Sequence, residues 1–193
     1  MIIAIEGIDG AGKSTLVRNL ITQLPSDKYT FCSELQSPIK DDVKDLLRDG
    51  ASFFLKTYFF AADRAWTYKK IALPAIEDGK IVIWDRYVDS ALAYRYAESS
   101  KADIINFRFV EDINRPFPKA DITIYMKMSA EHSAERAASA GRKEPYNTDF
   151  LKRVEQYYNC VSKKDASYRV VDATKTIDEI TKEVCTILWK IRV

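Results

Sequence analysis

Residues 2–15 read Ile2-Ile3-Ala4-Ile5-Glu6-Gly7-Ile8-Asp9-Gly10-Ala11-Gly12-Lys13-Ser14-Thr15. The opening residues are aliphatic, as a strand covered on both faces requires, and the segment after them satisfies G-x-x-x-x-G-K-[ST] without a gap. Such a loop turns sharply enough for its backbone N–H groups to converge on phosphate oxygens. The helix that follows adds the unpaired N–H groups and the positive dipole end of its first turn. In this P-loop reading Gly7, Gly10, Ala11, Gly12, Lys13, Ser14 and Thr15 form the cradle, and Lys13 meets the β- and γ-phosphates. Ser14 offers its hydroxyl to Mg2+, which prefers hard oxygen ligands. A glycine-rich turn that merely joins a strand to a helix is the plainer alternative, but the apolar strand before it and the amphipathic segment after it favour nucleotide binding. The motif alone does not choose between a kinase, a GTPase and an ATP-driven switch.

Outward from this loop, short β-rich runs recur at residues 2–6, 29–33, 81–84, 122–126 and 168–172. Helical stretches are predicted between and after them at 14–24, 41–49, 53–78, 90–99, 104–114, 129–140, 149–164 and 176–191. This βαβα order predicts an α/β chain, a three-layer α/β/α sandwich around a five-stranded parallel sheet. Pro74 is expected to kink or end the third helix, Asp149 to cap the helix it opens, and Gly79 to follow a helix end. Residues 138–147 mix small residues, charges and a proline between two helices, which reads as a mobile loop. No linker or repeat interrupts residues 1–193, so one domain is expected.

Composition removes several classes of function. Apolar residues make up 47% and charged residues 30%, with 6 Gly and 6 Pro, which is globular composition and not that of a disordered or fibrous chain. Thirty Lys and Arg against 28 Asp and Glu leave +2, too little to track a nucleic-acid backbone. Cys32, Cys160 and Cys185 are widely spaced and His132 is the only histidine, so neither a disulfide framework nor a zinc site is expected. With no signal-peptide pattern and no twenty-residue apolar run, the expected address is the cytoplasm, with no membrane partner.

A second motif lies at the end of the third strand, Ile81-Val82-Ile83-Trp84-Asp85-Arg86-Tyr87. A carboxylate leaving a buried strand beside a P-loop can hold Mg2+ through water, and an arginine next to it can clamp a phosphate by its planar fork. An Asp-Arg pair that caps a helix is the alternative. The guanine-reading Asn-Lys-x-Asp is absent, which argues against a GTPase.

Four blocks together resemble the thymidylate kinase family of nucleoside monophosphate kinases. They are Ile5 to Thr15, Phe59-Phe60-Ala61-Ala62-Asp63-Arg64-Ala65, Asp85-Arg86-Tyr87-Val88-Asp89-Ser90-Ala91-Leu92-Ala93-Tyr94, and Val171-Asp172-Ala173-Thr174. The resemblance implies a P-loop kinase fold and ATP-dependent phosphorylation of thymidine 5′-monophosphate to the diphosphate, with Mg2+. By matched position it places Phe60 on the thymine ring, Arg64 on a base carbonyl, and Tyr94 against the sugar's 2′ position. Arg86 would hold the acceptor phosphate and Asp9 would contact the acceptor's sugar or phosphate. Residues 138–147 fit the family's lid. Some relatives carry a catalytic arginine where Gly10 stands here, so that charge has to come from Arg136, Arg142 or Lys143, with Arg142 the first choice. Arg136 matches the residue that stacks on the donor adenine, with Asp172-Ala173-Thr174 on its other side. Relatives pair into homodimers, and the aromatic third helix could supply the face.

Each assignment has a plainer reading: Phe60 as core in an aromatic run, Tyr94 as a packed surface tyrosine, Arg64 as paired with Asp63 or Glu77 on a solvated helix face. The chain also departs from the family on the acceptor side. Where members place an arginine near a proline it has Ser33-Glu34-Leu35-Gln36-Ser37-Pro38-Ile39-Lys40, and it has Ala91 where many relatives are polar. Lys40 could replace the arginine only as a point charge, and Glu34 would repel a phosphate if it faced the site. Hence the alternatives of a same-fold kinase for another pyrimidine or modified deoxynucleotide, and of a non-catalytic ATP-binding protein. A nucleoside kinase would usually show Glu-Arg-Ser in place of Asp85-Arg86-Tyr87.

Overall fold

The computed structural model describes residues 1–99, 104–139, 141 and 146–191. Five strands, β1 (Ile2–Glu6), β2 (Tyr29–Ser33), β3 (Ile81–Asp85), β4 (Ile122–Lys127) and β5 (Tyr168–Asp172), form one sheet in the order β2-β3-β1-β4-β5. Every pairing is parallel, so each connection must cross over a face of the sheet, and helices do so. These are α1 (Lys13–Gln23), α2 (Lys40–Arg48), α3 (Phe53–Thr67), α4 (Leu73–Glu77), α5 (Val88–Glu98), α6 (Ile104–Asn114), α7 (Ala130–Ser139), α8 (Thr148–Val161) and α9 (Ile177–Lys190).

Alternation along the strands sorts the core into two layers. Ile3, Ile5, Ile83 and Ile124 meet Leu16 and Leu20 of α1 and Val184 and Leu188 of α9. Ile2, Ala4, Val82 and Trp84 meet Ala72 and Ala75 on the opposite side. Strand β1, central and buried at all five positions, therefore delivers its C-terminal end, and the P-loop after it, to the middle of the sheet.

Two local expectations need correction. The long third helix does not simply bend at Pro74. Residues Tyr68–Ala72 widen into a π-helical turn, and Pro74 sits in the first turn of α4. A proline lacks an N–H and its ring crowds the carbonyl four residues back, and the wider turn accommodates both. The cap of α8 is Asn147, whose extended backbone lets its side chain accept from Phe150 N at 2.8 Å, while Asp149 lies already inside the first turn. Among the described residues no helix is long and apolar enough to cross a membrane.

Candidate functional site

The P-loop's first glycine is required by its surroundings. A Cβ on Gly7 would stand 2.7 Å from the carbonyl oxygen of Met126, on backbone at φ +147°, so no side chain fits. Gly12 has φ 89° and opens α1. Lys13 is folded back into the loop, 4% exposed, donating to Gly7 O at 2.8 Å and Ile8 O at 2.6 Å. Burial, helped by the nearby Arg86 cation, pulls its ammonium down to about 7. A phosphate arriving beside it would supply the missing counter-charge.

Parallel pairing of Ile5 with Asp85 puts the end of β3 next to the P-loop. Ser14 Oγ donates to Asp85 Oδ2 at 2.9 Å, and Asp85 Oδ1 is buried without a hydrogen-bond partner. A hydroxyl and a carboxylate with one oxygen still unsatisfied are the hard donors Mg2+ takes, so these two residues fit that ion.

The turn after β3 is strained and tied down. Arg86 has φ 64°, left-handed for a non-glycine residue, and its N–H bonds Ile5 O at 3.1 Å. Fully buried Glu6 fixes the next residues: it accepts from Tyr87 N at 2.8 Å, Ser90 N at 3.2 Å, Ser90 Oγ and, at 2.8 Å, Tyr158 Oη. So held, the Arg86 guanidinium pairs with Asp9, bonds Tyr94 Oη at 3.3 Å and lies 5.2 Å from the centre of the Tyr94 ring. Asp9 is held in turn through its carbonyl, which accepts from Ser133 Oγ of α7 at 2.7 Å.

Two of the cavities at this end of the sheet meet at Arg86. The larger, about 500 Å3, is lined by the P-loop from Gly10 to Thr15 together with Arg18, Arg86, Arg136 and residues after β5. The smaller, about 120 Å3, is lined by Asp9, Phe60, Arg86, Ala91 and Tyr94 among others. Arg86 is on the wall of both.

Most of the residues singled out from the sequence therefore converge, but three stand elsewhere. Arg64 is 3% exposed and directs its guanidinium to Asn114 Oδ1 at 2.5 Å and Tyr87 O at 3.3 Å, with Glu34 at 3.7 Å and the Phe117 ring 5.6 Å away. It neither lines the smaller cavity nor sits on a solvated face. Its neighbour Asp63 instead accepts from Leu35 N and Ser37 N. Thr174 bonds Asp172 at 2.7 Å and faces a separate groove, while Lys175, Thr176 and Ile177 line the large cavity in its stead. Lys40 is exposed on the surface at the start of α2. Arg136 lines the larger cavity and donates to Gly10 O at 3.5 Å and Ala173 O at 3.1 Å. Arg142 and Lys143 lie outside the described residues.

Sequence reasoning missed Thr57, Ser90, Arg95 and Tyr146 on the smaller cavity. Arg95 had a signal: it lies four residues after Ala91 on one helix face. Glu34 does face this cavity, and burial pushes its carboxyl up to about 7.

A family model described as thymidylate kinase matches residues 5–184. The chain is 32% identical to a protein of Pyrobaculum aerophilum named "Probable thymidylate kinase", over 98% of this chain and 96% of the relative. Proteins of the same name from Archaeoglobus fulgidus, 32% identical over 95% and 92%, and Pyrococcus abyssi, 28% identical over 96% and 94%, are similar across the same span.

Proposed function

This chain belongs to the thymidylate kinase family, and from that premise we propose that its two cavities are the donor and acceptor sites of one phosphoryl transfer. It phosphorylates thymidine 5′-monophosphate with ATP, giving the diphosphate and ADP. What supports the site assignment above all is that Arg86 belongs to both cavity walls.

A single guanidinium between two clefts can hold an acceptor phosphate facing the γ-phosphate of the donor. An acceptor oxygen then bonds the γ-phosphorus while the bond to the bridging β–γ oxygen breaks, and that oxygen leaves with ADP. No covalent enzyme intermediate is needed, so the protein works by alignment and charge neutralisation. Lys13 exchanges the carbonyls of Gly7 and Ile8 for the β- and γ-phosphate oxygens. The P-loop amides hold the β-phosphate, and Arg136 offers its guanidinium plane to the adenine. Ser14 and Asp85 would hold Mg2+, which supplies charge neutralisation between the phosphates when bound. Phe60 forms a stacking wall for the base, Tyr94 closes the sugar's 2′ side, and Asp9 orients Arg86. Arg142 remains the proposed source of the charge absent at Gly10.

We further place the chain in the cytoplasm as one kinase domain over residues 1–193 with a lid at about 138–147, acting as a homodimer without nucleic-acid or membrane partners. Support for the dimer comes from α3, which leaves Phe54, Leu55 and Tyr58 exposed at 45%, 37% and 55%. The direct test of the transfer site is Lys13→Ala: turnover should fall by about a thousandfold or more, and a normal kcat would refute the role of Lys13.

A further inference from the structure

We propose that Arg18 of α1 binds the α-phosphate of the donor nucleotide; this rests on the donor assignment above. Arg18 lies outside the G-x-x-x-x-G-K-[ST] motif, five residues after Lys13, yet it lines the larger cavity. Helix geometry explains its reach. A long side chain on an α-helix leans toward the N-terminus and covers the turn before its own Cα, so Arg18 extends back over Thr15, three residues earlier. Its Nη2 donates to Thr15 Oγ1 at 3.1 Å, which holds the guanidinium beside the first turn of α1.

The other cations on this wall are engaged. Lys13 donates to the carbonyls of Gly7 and Ile8, Arg86 pairs with Asp9, Arg136 donates to two backbone carbonyls, and Lys175 pairs with Glu183 at 2.9 Å. Among the described residues Arg18 has neither a carboxylate nor a carbonyl partner, and its one hydrogen bond is to the Thr15 hydroxyl. A guanidinium carries five N–H donors, so most of its capacity remains for an anion. Among the described residues no carboxylate lines this cavity to repel one.

The order of the loop selects which phosphate it meets. In a P-loop the lysine and the hydroxyl after it serve the β- and γ-phosphates and Mg2+, while backbone N–H groups cradle the α- and β-phosphates. Thr15 follows Ser14 at the α-phosphate end of that cradle, and Arg18 sits over Thr15. The α-phosphate keeps its bonds and its charge while the β–γ bridge breaks. A contact to it therefore holds ATP and ADP alike, and its loss enters KM with kcat kept.

The test is steady-state kinetics of the full chain with ATP and dTMP, with ADP as an inhibitor competing with ATP. Arg18 is exposed, so Arg18→Gln should fold and melt as wild type does. It should raise the ATP KM and the ADP inhibition constant by the same factor, about tenfold. Its kcat and dTMP KM should stay within about twofold of wild type. Arg18→Lys, which keeps the charge without the fork, should recover part of the lost affinity for both nucleotides. An unchanged ATP KM in Arg18→Gln would overturn the proposal. A raised ATP KM with an unmoved ADP inhibition constant would also overturn it, because that pattern places Arg18 at the γ-phosphate. Wild type showing no ATP binding would overturn the donor assignment itself, so the two failures are distinguishable.

Discussion

Ser14 of the P-loop and Asp85 at the end of β3, 71 residues apart, are joined by a hydrogen bond of 2.9 Å that leaves Asp85 Oδ1 buried and unsatisfied. Adjacent parallel strands make this possible, because each delivers its C-terminal end to the same edge of the sheet. Asp85→Asn keeps the shape and removes the charge. Its half-saturating Mg2+ concentration should rise by about tenfold or more with an unchanged melting temperature, measured by titrating Mg2+ in an ADP-release assay. An unshifted Mg2+ requirement would remove Asp85 from the metal site.

Glu6 lines neither cavity, yet it accepts from Tyr87, Ser90 and Tyr158 and so holds the turn that presents Arg86. Glu6→Gln sets an amide N–H2 against those donors. The expected result is a loss of about 2–4 kcal/mol in urea unfolding together with a raised acceptor KM. A variant as stable as wild type would show that this hub does not position the turn.

Asp89 gives a dependence on pH. Burial, with the neighbouring Glu6 carboxylate, pushes its carboxyl up to about 6, although Tyr168 Oη donates to it at 2.7 Å. A carboxyl whose folded-state pKa lies above the unfolded value stabilises the fold most below about 3.9, the unfolded value, and that contribution is lost as pH rises through about 6. Asp89→Asn cannot ionise and still accepts from Tyr168. It should melt about 3 °C or more above wild type at pH 8, with the advantage gone near pH 4, as read by thermal melts across that range. An advantage independent of pH would contradict the assignment.

The exposed aromatic face of α3 is continuous with α6, since Tyr58 and Phe54 each meet the Phe109 ring edge-on with centroids 5.2 Å apart. Tyr58→Glu should turn a homodimer into a monomer in light scattering. A wild-type mass of a single chain at micromolar concentration would refute the dimer.

How far the sequence could be read depended on the range of the interaction. The strands were legible to within a residue because β1 and its neighbours are continuous apolar runs, and the P-loop because Gly10 and Gly12 answer to local backbone demands, both at positive φ. The start of α9 was read at Thr176, which the structure shows as the N-cap of a capping box with Glu179, also a local contact. Arg64 was not legible: its direction depends on Asn114, fifty residues away in sequence. The walls of the small cavity come from five separate segments, so only the fold could place Glu34 and Tyr146 beside Arg95. Thr174 was displaced from the large cavity by its own turn, in which Asp172 captures its hydroxyl.

Arg86, on the wall of both cavities, is proposed to stand between the two nucleotides of the transfer. A coupled ADP-release assay with ATP and each of dTMP, dUMP, dCMP and UMP, run on wild type and Arg86→Ala, tests it most directly. The expected result is dTMP-stimulated release, with dTMP the best acceptor, that Arg86→Ala lowers by about a hundredfold or more. ATP binding without any monophosphate-stimulated turnover, or turnover in which dTMP is no better than the others, would contradict it.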